Sequence, residues 1–293
     1  MPRVSFLPAD HEPSRPSPEI SVEAFLSSLS AQLGQKSGIL THTGRAAMHA
    51  LFRHLGLERQ DEVFISTTFD YPNVSSCVTC TVFNYCKPSR VLTAQAKAVF
   101  VIHEFGVPHP GTPELREEAS RRGIPLIEDC AHTVDSFVPG KWHVGALADW
   151  GIVTFPKIFP AHQGGMLIGP PVEYAPTPME QKEMRAGAEA AAAWWPSHAE
   201  QVCRRRSVYG ELAERCAGYG IRPLFDLEPG ITPWFFPVHA NNSEALLQAG
   251  RDRGVDCGLW HGSDVVVFPC HQYLTAADQD LILESLAAGA GSS

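Results

Sequence analysis

The segment from Asp129 to Gly165 holds the residues best suited to chemistry. An apolar stretch ends in Glu128-Asp129-Cys130-Ala131-His132, and a lone lysine follows in Thr154-Phe155-Pro156-Lys157, ahead of the glycine pair Gly164-Gly165. A lysine amine can hold an aldehyde as a Schiff base. A carboxylate at the end of a buried strand can keep a pyridine nitrogen protonated, so that the ring accepts electrons. Those are the two groups that a pyridoxal phosphate (PLP) site needs.

The elements around these residues alternate as in an α/β fold. Residues 45–57 carry Ala and Leu at helical spacing, and Glu62 to Ser66 reads as a short strand. Residues 72–83 fit a helix opened by Pro72, and Ala98 to His103 is an apolar strand of the kind buried in a parallel sheet. Pro113 to Arg122 has proline early and Gly123 just past its end, the asymmetry of a helix, and Pro125 to Glu128 is the next strand. Strand, helix and strand in that order imply a right-handed crossover between parallel neighbours. His103 and Asp129 then fall at the carboxyl ends of successive strands, where open sheets bind ligands. Residues 151–155 and 165–169 read as strands that hold Lys157 on a tight connection. The prolines at 170, 171, 176 and 178 form a stiff connector. Beyond it come an alanine-rich helix, a helix over 199–219, a strand over 233–239, a helix over 243–253 opened by a serine cap, a strand over 265–268 and a helix over 275–287. This divides the chain into a large unit, 1–178, and a smaller α+β unit, 179–293.

Composition narrows the class. The chain has 293 residues and a net charge of −9, which disfavours nucleic acid and acidic membrane surfaces, since both want a basic face. No apolar run approaches membrane-spanning length, and the first residues, with Pro2, Asp10, His11 and Glu12, lack a signal-peptide core. A cytoplasmic protein is expected. Eight cysteines are too sparse for a disulfide scaffold. Cys77-x-x-Cys80, with Cys86 close behind, has no second matching pair, so no metal site is expected; the two cysteines are expected to pack as small apolar residues in a buried helix.

Several separated segments together resemble the DegT/DnrJ/EryC1/StrS family of PLP-dependent sugar aminotransferases, within the aspartate aminotransferase fold type I. They are Thr43-Gly44-Arg45-Ala46-Ala47-Met48-His49, Asp61-Glu62-Val63, His103-Glu104-Phe105-Gly106, Glu128-Asp129-Cys130-Ala131-His132, Gly145-Ala146-Leu147-Ala148-Asp149 and Pro269-Cys270-His271-Gln272-Tyr273-Leu274-Thr275. The resemblance implies a fold-type-I transferase: a large domain with a mostly parallel sheet, a smaller C-terminal α+β domain, and a homodimer with both sites near the interface. Lys157 would hold PLP and move the proton, for which its amine must at times be neutral. Asp129 would pair with the pyridinium nitrogen. Thr43, Gly44, Arg45 and Thr154 would hold the phosphate at a helix N-terminus. Phe69 or Tyr71 would stack on the ring, and His103 and His132 would complete the pocket.

The chain also departs from the family. His132 stands where glutamine is usual, which offers the ring hydroxyl an imidazole that titrates near neutrality. Gln163 replaces an acidic residue before the glycine pair. Only Pro88 to Lys97 stands where the family has an extra strand and helix, and no Asn-x-Arg segment follows Gly169. The expected activity is amino transfer from an amino-acid donor, glutamate or glutamine, to a carbonyl acceptor, either a keto sugar or a smaller metabolite. Alternatives are elimination, decarboxylation or another carbanion route from the same lysine, or a cofactor-binding or interaction protein with little turnover.

Overall fold

The computed structural model describes residues 3–11, 20–34 and 37–290; Pro2 and Glu12 lie outside them. Its centre is a seven-stranded sheet. In chain order the strands are β1 (Gly38–Thr41), β2 (Glu62–Thr67), β3 (Lys87–Ser89), β4 (Ala96–Ile102), β5 (Leu126–Asp129), β8 (Trp150–Thr154) and β9 (Gly165–Ile168). The spatial order is β1-β9-β8-β5-β4-β2-β3. β8, β5, β4, β2 and β3 run parallel, and β9 is antiparallel to both its neighbours. A two-stranded hairpin, β6 (Phe137–Val138) with β7 (Trp142–His143), lies between β5 and β8 in sequence. The apolar run of β4 follows from this topology: as an interior strand covered on both faces, it buries all but Lys97.

Helices cover both faces. α2 (Gly44–His54) buries Ala47, Met48, Ala50 and Leu51 against the sheet together with α3 (Ser76–Phe83). α4 (Thr112–Arg122) packs Ala119 onto Val99, Val101 and Leu126 on the other side. Two further helices, α1 (Val22–Gln32) and α5 (Pro178–Trp194), join Phe25, Leu29 and Ala188 to Val153, Phe155 and Ile168. The second core gathers α6 (His198–Ala217), α7 (Ser243–Asp252), α8 (Ala276–Ala290) and the small sheet β10-β12-β11, made of Phe235–His239, Val265–Pro269 and Gly258–Leu259. Among the described residues, no helix is long and apolar enough to cross a membrane.

Several expectations change. A division at residue 178 cuts through the large unit, because α5 packs against α1, β1 and β9; its alanine face is small enough to lie flat on the sheet, and composition does not show which sheet. In the other direction, Val4 crosses to bridge Val255 and sits in the second core. The helix expected from Pro72 starts at Ser76, and Asn242, one residue before Ser243, caps α7 through a side-chain bond to Ala245 N. The shortened segment keeps a three-residue edge strand, β3. Cys77 and Cys80 are exposed: α3 turns Val78 and Val82 inward instead.

The two units meet at the turn after β4. Phe105 has φ +57° and Gly106 φ +89°. The Phe105 carbonyl accepts from Trp234 N at 2.9 Å. Ser136 Oγ donates to the Gly106 carbonyl at 2.6 Å and accepts from Thr232 N at 2.8 Å. A Cβ at Gly106 would come within 2.1 Å of the Thr232 carbonyl oxygen, so this left-handed turn fits only glycine.

Gly106→Ala should therefore lose roughly 3 kcal/mol of stability or more, the sum of a strained φ and a backbone clash, read as a fall in the urea midpoint; an unchanged midpoint would show that the junction relaxes freely. A second outcome concerns His109, whose ring accepts from Gly111 N at 3.1 Å and meets Ser66 Oγ at 2.8 Å. Burial, with His103 nearby, lowers its pKa to about 4. The unfolded chain then binds more protons than the folded one between its ordinary value, about 6.5, and about 4. His109 consequently withdraws stability as pH falls through that window, on the order of 3 kcal/mol in all. Urea midpoints at pH 7 and pH 5 should converge in His109→Gln relative to wild type.

Candidate active site

Three strand ends and one helix start converge on a cavity of about 340 Å³. β5 delivers Asp129, β8 runs through Thr154 into a single 3₁₀ turn (Phe155–Lys157), and β4 leads to the turn carrying Glu104. α2 begins beside them because β1, β9 and β8 end in one row, Thr41 opposite Gly165 and Gly165 opposite Thr154. A Cβ on Gly165 would lie 2.7 Å from the Val153 carbonyl oxygen and 3.0 Å from Gly44 N. The second glycine of the pair thus allows the α2 N-terminus to approach the sheet.

Thr43, Gly44 and Arg45 line one end of the cavity, together with Thr154. Thr43 caps α2 through its side chain, which accepts from Ala46 N at 3.1 Å. The amides of the first turn have no carbonyl partner within the helix and favour an anion. Arg45 is exposed at the rim and donates to Cys77 Sγ at 3.1 Å. Cys77 lines the same wall.

Asp129, His132 and Lys157 line the interior. Asp129 is buried and accepts from Ala131 N at 2.9 Å. Burial raises its pKa, with Lys157 as the strongest opposing influence. Lys157 Nζ sits 4.3 Å above the centre of the Trp234 ring, a cation–π position. Burial lowers its pKa, and Asp129, then Cys77, partly restore it. The result is an amine more readily deprotonated than an exposed lysine, close to an acid that burial makes harder to ionise. His132 Nδ1 accepts from Phe105 N at 3.1 Å. Burial, then Lys157, holds its pKa well below the ordinary value. An imidazole titrating near neutrality is thus replaced by a neutral ring whose proton is on Nε2.

His103, Phe69 and Tyr71 do not line this cavity. His103 lies fully buried behind it: Nδ1 accepts from His109 N at 3.0 Å and Nε2 meets Glu128 Oε2 at 2.8 Å. Its ring is consumed in joining strand ends. Phe69 packs against Phe105 and Phe225, and Tyr71 stacks on Phe69 in the aromatic cluster between the units. The aromatic groups that do meet the site are Trp260, in the cavity wall, and Trp234, which also lies 4.1 Å from His132 ring to ring.

Sequence reasoning missed both indoles, and Glu104. Glu104 is buried in the cavity wall; it accepts from Phe69 N at 2.9 Å and from Trp260 Nε1 at 3.1 Å. Burial raises its pKa. Its place inside His103-Glu104-Phe105-Gly106 is the signal that could have found it. Trp234 and Trp260 lie more than a hundred residues downstream of that segment with no local pattern to mark them. His103, Glu128 and Cys130 bring ligand atoms within 4.8 Å of one another, but the His103 and Glu128 atoms are bonded to each other.

Residues 85–175 match the model of the DegT/DnrJ/EryC1/StrS aminotransferase family. A Micromonospora echinospora protein, assigned as an L-glutamine:3-amino-2,3-dideoxy-scyllo-inosose aminotransferase, is 29% identical over 169 residues, 52% of this chain and 40% of its own length. The chain thus spans about two fifths of that relative. The aminotransferase TlmJ from Streptoalloteichus hindustanus has a similar fold, with a TM-score of 0.73 at 20% identity, covering 95% of this chain and 93% of its own. So has ntda from Bacillus subtilis, solved with bound cofactor PMP, with a TM-score of 0.73 at 16% identity, covering all of this chain and 86% of its own. The matched segment carries His103, Asp129, His132, Thr154 and Lys157 in sequence order, and over that segment the chain is similar to the DegT/DnrJ/EryC1/StrS aminotransferase family.

Proposed function

We propose that this protein is a PLP-dependent aminotransferase that moves an amino group from an amino-acid donor to a carbonyl acceptor. The observation that carries this is the placing of Lys157 and Asp129 in one cavity that also opens onto the amide-rich start of α2. The donor set fits the cofactor: an amine that burial biases towards the neutral form, a buried carboxylate, and an anion site with Arg45 at its rim. When bound, PLP supplies an electron sink that makes a proton on the substrate's α-carbon removable.

The protein's own residues divide the remaining work. Lys157 Nζ accepts and returns that proton, which its lowered pKa favours. Asp129 holds a proton on the ring nitrogen by its charge. The Gly44 and Arg45 amides and the Thr154 hydroxyl hold the phosphate. His132 offers an Nε2–H donor to the cofactor's oxygen side without adding positive charge. Trp234 and Trp260 exclude water from one side, which strengthens each of these interactions. Glutamate or glutamine as donor, and a keto sugar or smaller carbonyl compound as acceptor, fit the family and the relative's name. A homodimer is the assembly in which both sites would be completed, in a protein expected to work in the cytoplasm on small molecules.

Wild-type protein mixed with PLP should develop a visible absorbance band that borohydride abolishes while fixing the cofactor covalently to Lys157. Lys157→Ala should show no such band, and addition of donor should shift the wild-type spectrum to that of pyridoxamine phosphate. A wild type that takes up no PLP would sink the proposal. In the cofactor-free protein, reductive methylation of Lys157 followed by mass spectrometry should titrate below the range of exposed lysines. Asp129→Asn should move that midpoint lower still, since the substitution removes the anion that raises it; an unmoved or raised midpoint would show that Asp129 does not act on the amine.

A further inference from the structure

The lysine turn is fixed from behind by a group of the second unit. Arg205, on α6, is only 4% exposed. A guanidinium so buried costs several kcal/mol unless its donors are all used, and among the described residues no carboxylate comes within ion-pairing distance of it. Its donors go elsewhere. Nη1 donates to the Lys157 carbonyl at 3.3 Å and Nη2 to the Ile158 carbonyl at 3.2 Å. Nε and Nη2 both donate to Gln272 Oε1, at 3.1 and 2.7 Å. Gln272 is itself buried, and its amide reaches Gln201 Oε1 at 3.2 Å.

The two carbonyls have a physical need for this partner. The 3₁₀ turn ends at Lys157, and Ile158, at φ −110° and ψ −48°, leaves it. Neither carbonyl can be used by a continuing helix, and both face the interior, where an unpaired acceptor costs about 1–3 kcal/mol. A planar fork reaches two adjacent carbonyls at once; an ammonium does so poorly.

We infer that Arg205, aligned by Gln272, is the positioning residue for Lys157: it fixes the backbone of the turn and thereby where the amine enters the cavity. This gives the small unit a direct hold on the site, and its catalytic meaning rests on the PLP reading above. Nζ lies at the end of a four-carbon stem, so a small rotation at Cα moves the amine substantially. The groups that face the amine are Asp129 from β5, Cys77 from α3, His132 from the turn after β5, and Trp234 and His261 from the second unit. A displaced amine loses its burial first, and its pKa then returns towards that of an exposed lysine.

The test uses Arg205→Lys, Arg205→Met and Gln272→Ala in the full chain. The readouts are thermal melting, the pH profile of Lys157 methylation in cofactor-free protein, and the rate of borohydride-fixed PLP capture. Folded Arg205→Lys should raise the Lys157 midpoint and slow capture by about 10–100-fold, the scale of a displacement near 1 Å; Gln272→Ala should do the same to a smaller degree. A folded Arg205 variant with the wild-type profile and rate would overturn the inference and leave Arg205 as packing alone. If both Arg205 variants fail to fold, Gln272→Ala decides: an unaltered profile and rate overturns it. Should wild type capture no PLP, the cofactor reading fails, while the methylation profile still decides whether Arg205 sets the amine.

Discussion

The architecture of the site depends on one buried contact, His103 with Glu128. Both side chains are fully buried, at the ends of adjacent parallel strands. Glu128 Oε2 also accepts from Gly145 N at 2.6 Å, and His103 Nδ1 accepts from His109 N. A ring whose Nδ1 accepts must carry its proton on Nε2 and give it to the carboxylate. The pair therefore draws together the turn after β4, the end of β5 and the loop that leads into β8. Removing one partner would leave the other with only its second hydrogen bond in a dry setting, a loss of about 1–3 kcal/mol. Side chains alternate along a strand, so the residue next to this scaffold carboxylate, Asp129, points to the opposite side and into the cavity. Adjacent acids thus take different roles from strand geometry alone.

The same scaffold transmits order to the second unit. Phe105 stands in the left-handed region; its amide donates to His132 Nδ1 and its carbonyl accepts from Trp234 N. One strained residue thus links a cavity wall to the start of β10. Glu104 adds a bond to Trp260, and Arg205 adds two to the lysine turn. The cavity is built by the large unit and enclosed by the small one. Enclosure in turn shapes its electrostatics, because burial is the largest influence on Lys157, Asp129, His132 and Glu104 alike. Burial pushes each towards its neutral form, and at Lys157 this leaves an amine better able to accept a proton.

The chain itself determined much of this through local physics. The apolar run of β4, the proline and glycine that bracket α4, the threonine before α2 and the glycine pair before β9 each act within a few residues, and each forms the expected element. Asp129 was marked by its place at a strand end, and Lys157, Thr43, Gly44, Arg45, Thr154 and His132 by the family resemblance; all seven line one cavity. Only the tertiary structure decided the rest. It sent α5 to the large sheet, moved Phe69 and Tyr71 into the aromatic cluster, turned Cys77 and Cys80 outward, and made His103 a strut. Trp234, Trp260 and Arg205 reach the site from residues far along the chain. The physical reason is that periodicity records whether a side chain is buried, whereas the partner it is buried against depends on how layers pack. That choice is made by the summed contacts of distant segments and leaves no local mark in the sequence.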